Sequence, residues 1–184
     1  EWDEVDDQVG SISASYHVFA SVDELLGASD TVVRGTVISS RNEPSYPLPP
    51  STDDVRFSPH AELTAEEFAA LPPTPMTLFT VQVEEVVAGD PVTSQIEVLQ
   101  VGGVVDGVTW VPENPVLAVD PGAELVMVLS ETPSGYFDFP NPQQGAYSVA
   151  ADDGLTPLSG TNDLNVSDVL DLKEVAESAE LEAA

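Results

Sequence analysis

Apolar and polar residues alternate with a period near two over much of the chain, the signature of strands with one buried face. Thr77 to Val87 shows it plainly: Phe79, Val81 and Val83 fall on one side, Thr80, Gln82 and Glu84 on the other. Thr31 to Ser39 predicts a strand with Val33 and Val37 on one face, Val32 and Ile38 roughly on the other, and Gly35 in its middle. A mid-strand glycine marks a bulge or a sharp coil of the sheet. Ser94 to Val101 predicts a further strand, broken by Gly102-Gly103, and Val116-Leu117-Ala118 a short one before the Asp120-Pro121-Gly122 turn. Glu124 to Leu129 is continuously apolar after its first residue, so both of its faces are expected to be covered. Tyr136 to Phe139 and Ala146 to Val149 complete the set, around a Pro140-Asn141-Pro142 turn.

Helix signals frame these strands. Ser21-Val22-Asp23-Glu24 and Thr64-Ala65-Glu66-Glu67 both have the spacing of a capping box, in which hydroxyl and carboxylate satisfy each other's free amides. The first opens a short helix through Leu25, Leu26 and Ala28; the second predicts one or two turns ending near Leu71. Ser167 is expected to cap a final helix through Val169, Leu170, Leu172, Val175 and Ala176. Residues 42–75 hold half of the 16 prolines and predict a long loop. Its Tyr46, Leu48, Phe57, Leu63, Phe68 and Leu71 are expected to lie against the domain. The polar opening Glu1-Trp2-Asp3-Glu4-Val5-Asp6-Asp7 reads as a linker between a cleaved signal or lipid anchor and a domain, which favours export. The expected organisation is a flexible acidic leader over 1–15, a single β-rich domain over 16–176, and a frayed acidic tail over 177–184. About six strands with short helices near both ends predict a mainly β fold, either a small barrel or a sandwich. The order helix, long coiled strand, meander, terminal helix favours an oligonucleotide/oligosaccharide-binding (OB) type barrel.

Charge changes the picture. The 184 residues hold 33 Asp+Glu against 4 Lys+Arg, a formal net charge of -29, and no cysteine. With 42% hydrophobic residues the chain is still too apolar for acidic disorder. No apolar run reaches the ~18 residues of a transmembrane helix. Phosphates would meet a negative surface, so nucleic acid is not an expected partner. Disulfides, thiolate zinc sites and thiol catalysis are excluded. The acids are dispersed, and the cations are only Arg34, Arg41, Arg56 and Lys173. Such a composition fits a protein that works in salt, where the Debye length falls from about 10 Å at 0.1 M to about 3 Å at 1 M. A calcium-dependent fold, and capture of a basic partner or mimicry of nucleic acid, are the competing readings.

The stretch Leu25-Leu26-Gly27-Ala28-Ser29-Asp30-Thr31-Val32-Val33-Arg34-Gly35-Thr36-Val37 resembles the start of a group of uncharacterised exported bacterial domains. Phe79-Thr80-Val81-Gln82-Val83-Glu84-Glu85-Val86, Gln100-Val101-Gly102-Gly103 and Gln144-Gly145-Ala146-Tyr147 are similar to later stretches of that group. The opening also resembles netrin-like modules of metalloprotease inhibitors, which implies their OB-type barrel. The chain departs from those modules in lacking the N-terminal cysteine used for inhibition. The resemblance spans about residues 20–150 and implies no catalytic residues.

Catalytic chemistry is scarce in the sequence. His17 and His60 stand apart, without an HExxH or H-x-H spacing. Residues 157–168 align with a calcium loop only by placing Pro157, Ser159 and Thr161 where oxygen-rich side chains belong, so the segment reads as a polar turn before a helix. No G-x-S-x-G elbow, S-x-x-K motif or phosphate-binding G-x-x-x-x-G-K occurs. Paired carboxylates are too numerous to single out a glycosidase pair. One surface stands out: the aromatic, Pro-bearing run of Tyr136, Phe137, Phe139, Gln143 and Gln144, joined by Trp110 from a loop, as a seat for a protein, peptide or glycan. The expected function is thus a non-catalytic, salt-adapted binding domain, monomeric, outside the cell or in its envelope, or else in the cytoplasm of a salt-accumulating cell. A calcium-stabilised structural protein and a small carboxylate-based hydrolase are the alternatives. No cofactor is expected unless calcium serves as one, and no metal ligands are assigned.

Overall fold

A computed structural model describes residues 8–46, 63–90, 92–113, 117 and 122–183. In chain order the elements are β1 (Gln8–Ile12), α1 (Val22–Gly27), β2 (Thr31–Asn42), α2 (Ala65–Ala69), β3 (Met76–Gly89), β4 (Gln95–Val101), β5 (Gly103–Val105), β6 (Val108–Pro112), β7 (Glu124–Glu131), β8 (Phe137–Asp138), β9 (Ala146–Val149), β10 (Leu155–Pro157) and α3 (Val169–Ala183). The fold is mainly β, a closed five-strand barrel with added strands, consistent with a small OB-like barrel. The barrel order is β7-β2-β3-β4-β8, and β8 closes it by pairing parallel with β4 and antiparallel with β7. Strands β9 and β10 extend the wall beyond β7, and β1, β6 and β5 form a separate three-stranded sheet.

Alternation along the strands divides the interior into two cores. Val33, Val37, Phe79, Val81, Ile96, Val98, Leu125, Met127 and Leu129 fill the first. Val32, Val126, Val128 and Tyr147 leave the same strands on the opposite face and meet Leu25 of α1 and Val169 and Leu172 of α3 in the second. Strand β7 is the shared wall, which is why its apolar run is unbroken: both faces are covered, as the sequence predicts. The glycine expectation also holds. The β2–β3 register shifts between Arg34 and Gly35, and a Cβ on Gly35 would sit 2.5 Å from the Gln82 carbonyl oxygen.

Several expectations need correction. The leader is structured over Gln8–Ile12, which pairs in parallel with Val108–Pro112. The long loop does contain the helix α2, with both halves of the Thr64–Glu67 capping box formed, but Tyr46 is 69% exposed rather than packed. Leu48 and Phe57 lie outside the described residues. Of the short strand expected at 116–118, only Leu117 is described; it is buried but in no strand. At α1 the Ser21 hydroxyl accepts from Glu24 N, whereas the Glu24 carboxylate takes the Ala20 amide instead of that of Ser21. The cap of α3 shifts by one residue: Asp168 Oδ1 accepts from Asp171 N at 3.0 Å, and Asp171 reaches back to the Ser167 amide and hydroxyl. A carboxylate binds a helix-end amide more strongly than a hydroxyl does. Helix α3 continues to Ala183, so the tail expected to fray extends the last helix.

Candidate functional site

Trp110 lies on a strand rather than in a loop. Asp106 (φ 52°) and Gly107 (φ 78°) both adopt left-handed backbone, the two-residue turn that suits a twisted hairpin, and so join β5 to β6. Trp110 pairs with Gly103 on one side and Gly10 on the other. The indole crosses Gly10 so closely that a Cβ there would lie 2.7 Å from its Cε3. Val105, Val108 and Trp110 share one face of the hairpin. With Ile12, Pro72, Pro73, Thr74, Pro75 and Asp106 they line an open cleft of about 370 Å³. The walls are predominantly apolar and the prolines fix their own backbone. A half-buried indole between rigid walls can take an apolar side chain or lie against an extended segment.

The remaining predicted residues do not join it; none of the five lines the Trp110 cleft. Phe139 is 5% exposed and belongs to the barrel core. Phe137 packs partly on that core and lines a different cleft of about 590 Å³, beside Asp30, Asp90 and Glu131. Tyr136 is half-buried, and its carbonyl accepts from the Thr132 amide and hydroxyl. Gln143 is half-buried, lines a small recess with Pro142, Tyr16 and Gln100, and accepts from the Thr161 hydroxyl at 3.1 Å. Gln144 is no surface residue: it is 2% exposed. Its Oε1 accepts from Phe19 N (2.9 Å) and Asn141 Nδ2 (3.1 Å), while its Nε2 donates to Phe19 O (3.0 Å) and Asp163 Oδ1 (3.2 Å). Asn141, also buried, donates to the His17 carbonyl. The Pro140–Gly145 turn is therefore a clamp that holds residues 17–19 on the second core, because buried amides must find partners.

Cations are tied up wherever they are described. Arg34 donates to Glu124 (2.5 Å) and Asp153 (2.7 Å), Arg41 to Glu97 and Glu43, and Lys173 to Glu85 (2.5 Å). The Glu124 hydrogen bond, then that of Asp153, holds the Arg34 guanidinium above its usual range. Asp138 shows the reverse stress on an acid: partial desolvation, then the charge of Asp30, raises its carboxyl above the ordinary range. Tyr16 is raised by its own desolvation and then by Asp138. His17 lies 3.6 Å from Glu24 and edge-on to Phe19; His60 lies outside the described residues. Among the described residues no three of His, Asp or Glu converge on a point that would hold a metal ion. Within residues 157–168, Asn162 serves Gln144 O and Leu164 N, Asp163 accepts from Gln144, and Asp168 serves the α3 terminus.

Sequence reading missed the partners of Trp110, although one signal was present. Asp106-Gly107 between Val104-Val105 and Val108-Thr109 is the short-range mark of a hairpin, and it places Trp110 on a strand. Pro72 to Pro75 and β1 reach the cleft through long-range pairing that no local pattern encodes. No protein-family model matches the chain, and no curated protein matches it in sequence.

Proposed function

We propose that this chain is a non-catalytic, salt-adapted binding domain, exported or held at the cell envelope, that receives an extended apolar peptide segment at the Trp110 cleft. The observation that carries the reading is the cleft itself. In a chain of net charge -29 it is a concavity walled by prolines, aliphatic side chains and one indole, with Asp106 the only acid among the described residues that line it. Apolar walls with few polar groups fit recognition by burial rather than by charge. The excess of carboxylates serves the environment: they keep the surface hydrated in salt that would screen any long-range attraction.

Two measurements test this reading. In a Trp2→Phe background, where Trp110 alone reports, its fluorescence is expected to shift to the blue and saturate when uncharged, Pro- and aliphatic-rich peptides are titrated at 1–3 M NaCl (about the range where the Debye length is shortest). Saturation with oligosaccharides instead would replace the peptide by a glycan. No response to either would overturn the cleft as a site. Separately, the thermal midpoint is expected to climb with NaCl and to ignore millimolar calcium at matched ionic strength. A saturating, chelator-reversed jump with calcium would replace salt adaptation by an ion site.

A further inference from the structure

Asn165-Val166-Ser167 is an N-x-S acceptor triplet for asparagine-linked glycosylation, with a middle residue other than proline. A triplet alone is weak, so its setting decides. Burial alternates along residues 164–167: Leu164 and Val166 are buried in the second core, whereas Asn165 and Ser167 are exposed. The two positions a transferase must read are therefore exposed, with the Ser167 hydroxyl resting on the Asp171 carboxylate, and the buried residue between them anchors the segment. The segment lies outside regular secondary structure, between β10 and α3. The other described asparagines are committed to the fold. Asn42 accepts from Val104 N, Asn141 donates to His17 O, and Asn162 donates to Gln144 O. The Asn165 side chain has no hydrogen-bond partner among the described residues. The one exposed, uncommitted asparagine among them is thus the one in an acceptor triplet.

We infer that Asn165 is a glycosylation site, its substrate an oligosaccharide carried on a polyisoprenoid phosphate. In the transfer, Asn165 Nδ2 forms a bond to C1 of the first sugar. The bond from C1 to the phosphate oxygen breaks and its electron pair leaves with the lipid phosphate, while the amide nitrogen gives up one proton to a base of the transferase. The inference rests on the export component of the proposed function, because such donors face the compartment that exported chains enter.

The test is mass spectrometry of the protein recovered from its native cells, with fractionation of those cells alongside. Cleavage before aspartate releases residues 163–167 as one short peptide. That peptide is expected to carry sugar mass with saccharide ions on fragmentation. Asn165→Gln and Ser167→Ala should lose the mass, and Ser167→Thr should keep it. Asn165→Gln is expected to leave the thermal midpoint unchanged, since that side chain supports nothing. A bare Asn165 on exported protein overturns this inference and leaves the binding domain standing. A bare Asn165 on protein found only in the cytosol overturns export as well. Sugar retained in Ser167→Ala would overturn the triplet as the signal.

Discussion

Replacing Gln144 by leucine probes the clamp that orders the chain before α1. Leucine nearly matches glutamine in volume, so no cavity enters the account, and only the polar contacts change. Four hydrogen bonds vanish, from Gln144 to Phe19 N, Phe19 O, Asn141 and Asp163. Two of them serve the backbone of Phe19, itself 5% exposed. A typical intramolecular hydrogen bond contributes about 0.5–1.5 kcal/mol net, and a buried group left without its partner costs about 1–3 kcal/mol. The exposed end at Asp163 counts least, so the expected loss is about 3–5 kcal/mol. In a chain of this size each kcal/mol moves the thermal midpoint by about 2–4 °C, which gives a fall of about 10 °C. Circular dichroism melts in 2 M NaCl (about where charge repulsion is screened) measure it, with Gln143→Leu as the control. Gln143 makes one side-chain hydrogen bond among the described residues, to an exposed hydroxyl, so its loss should stay within about 0.5 kcal/mol. Amide exchange at Phe19 should accelerate in the Gln144 variant. Equal melting of the two variants, with Phe19 still protected, would refute the clamp.

Two further outcomes follow from single positions. Gly35→Ala is expected to cost about 2–3 kcal/mol in denaturant melts, because its Cβ would meet Gln82 O at 2.5 Å and Val81 Cγ1 at 3.0 Å and must push neighbouring barrel strands aside; a neutral result would mean the bulge at Arg34/Gly35 relaxes freely. Asp138 is raised on folding, so its effect is absent below its unfolded pKa and the fold loses stability as pH rises through the folded one. Asp138→Asn should therefore gain midpoint over the parent at pH 7 and match it near pH 3 (about a unit below the usual aspartate value), and a gain independent of pH would sink that assignment.

The barrel was legible where burial is one- or two-sided along a continuous strand. Phe79 to Val83 alternates because Phe79, Val81 and Val83 face the barrel core, and Leu125 to Leu129 does not alternate because β7 divides two cores. Gly35 announced the bulge through the absence of a side chain. The site was harder, because aromatic side chains look alike in sequence whether they face a core or solvent. Phe139 fills the barrel and Gln144 is buried beneath the surface it was expected to form. A polar side chain in a turn reads as exposed unless the backbone it serves is known, and Phe19 lies 125 residues away. Strand β1 looks like leader in the sequence for the same reason: Gln8–Ile12 has no buried face strong enough to set a period, with Val9 69% exposed. Only its long-range pairing with β6 makes it a strand.

Salt acts on this molecule through two terms of opposite sign, and their sizes decide the slope. Screening weakens the attractive pairs, several of which tie elements distant in sequence: Lys173 to Glu85 across α3 and β3, Arg34 to Glu124 and Asp153 across β2, β7 and the turn after β9. Screening also weakens the repulsion among carboxylates. Four cations cannot offset more than a small fraction of 33 acids, and the net charge stays at -29 however they are paired. Solvent-exposed ion pairs contribute little to stability, whereas self-repulsion at high net charge acts on the whole compact state. The repulsive term therefore dominates, and the folded state should gain as the Debye length shrinks from about 10 Å to about 3 Å. The same inequality gives the ion pairs a local role, in which they choose which elements meet while the two apolar cores supply the cohesion.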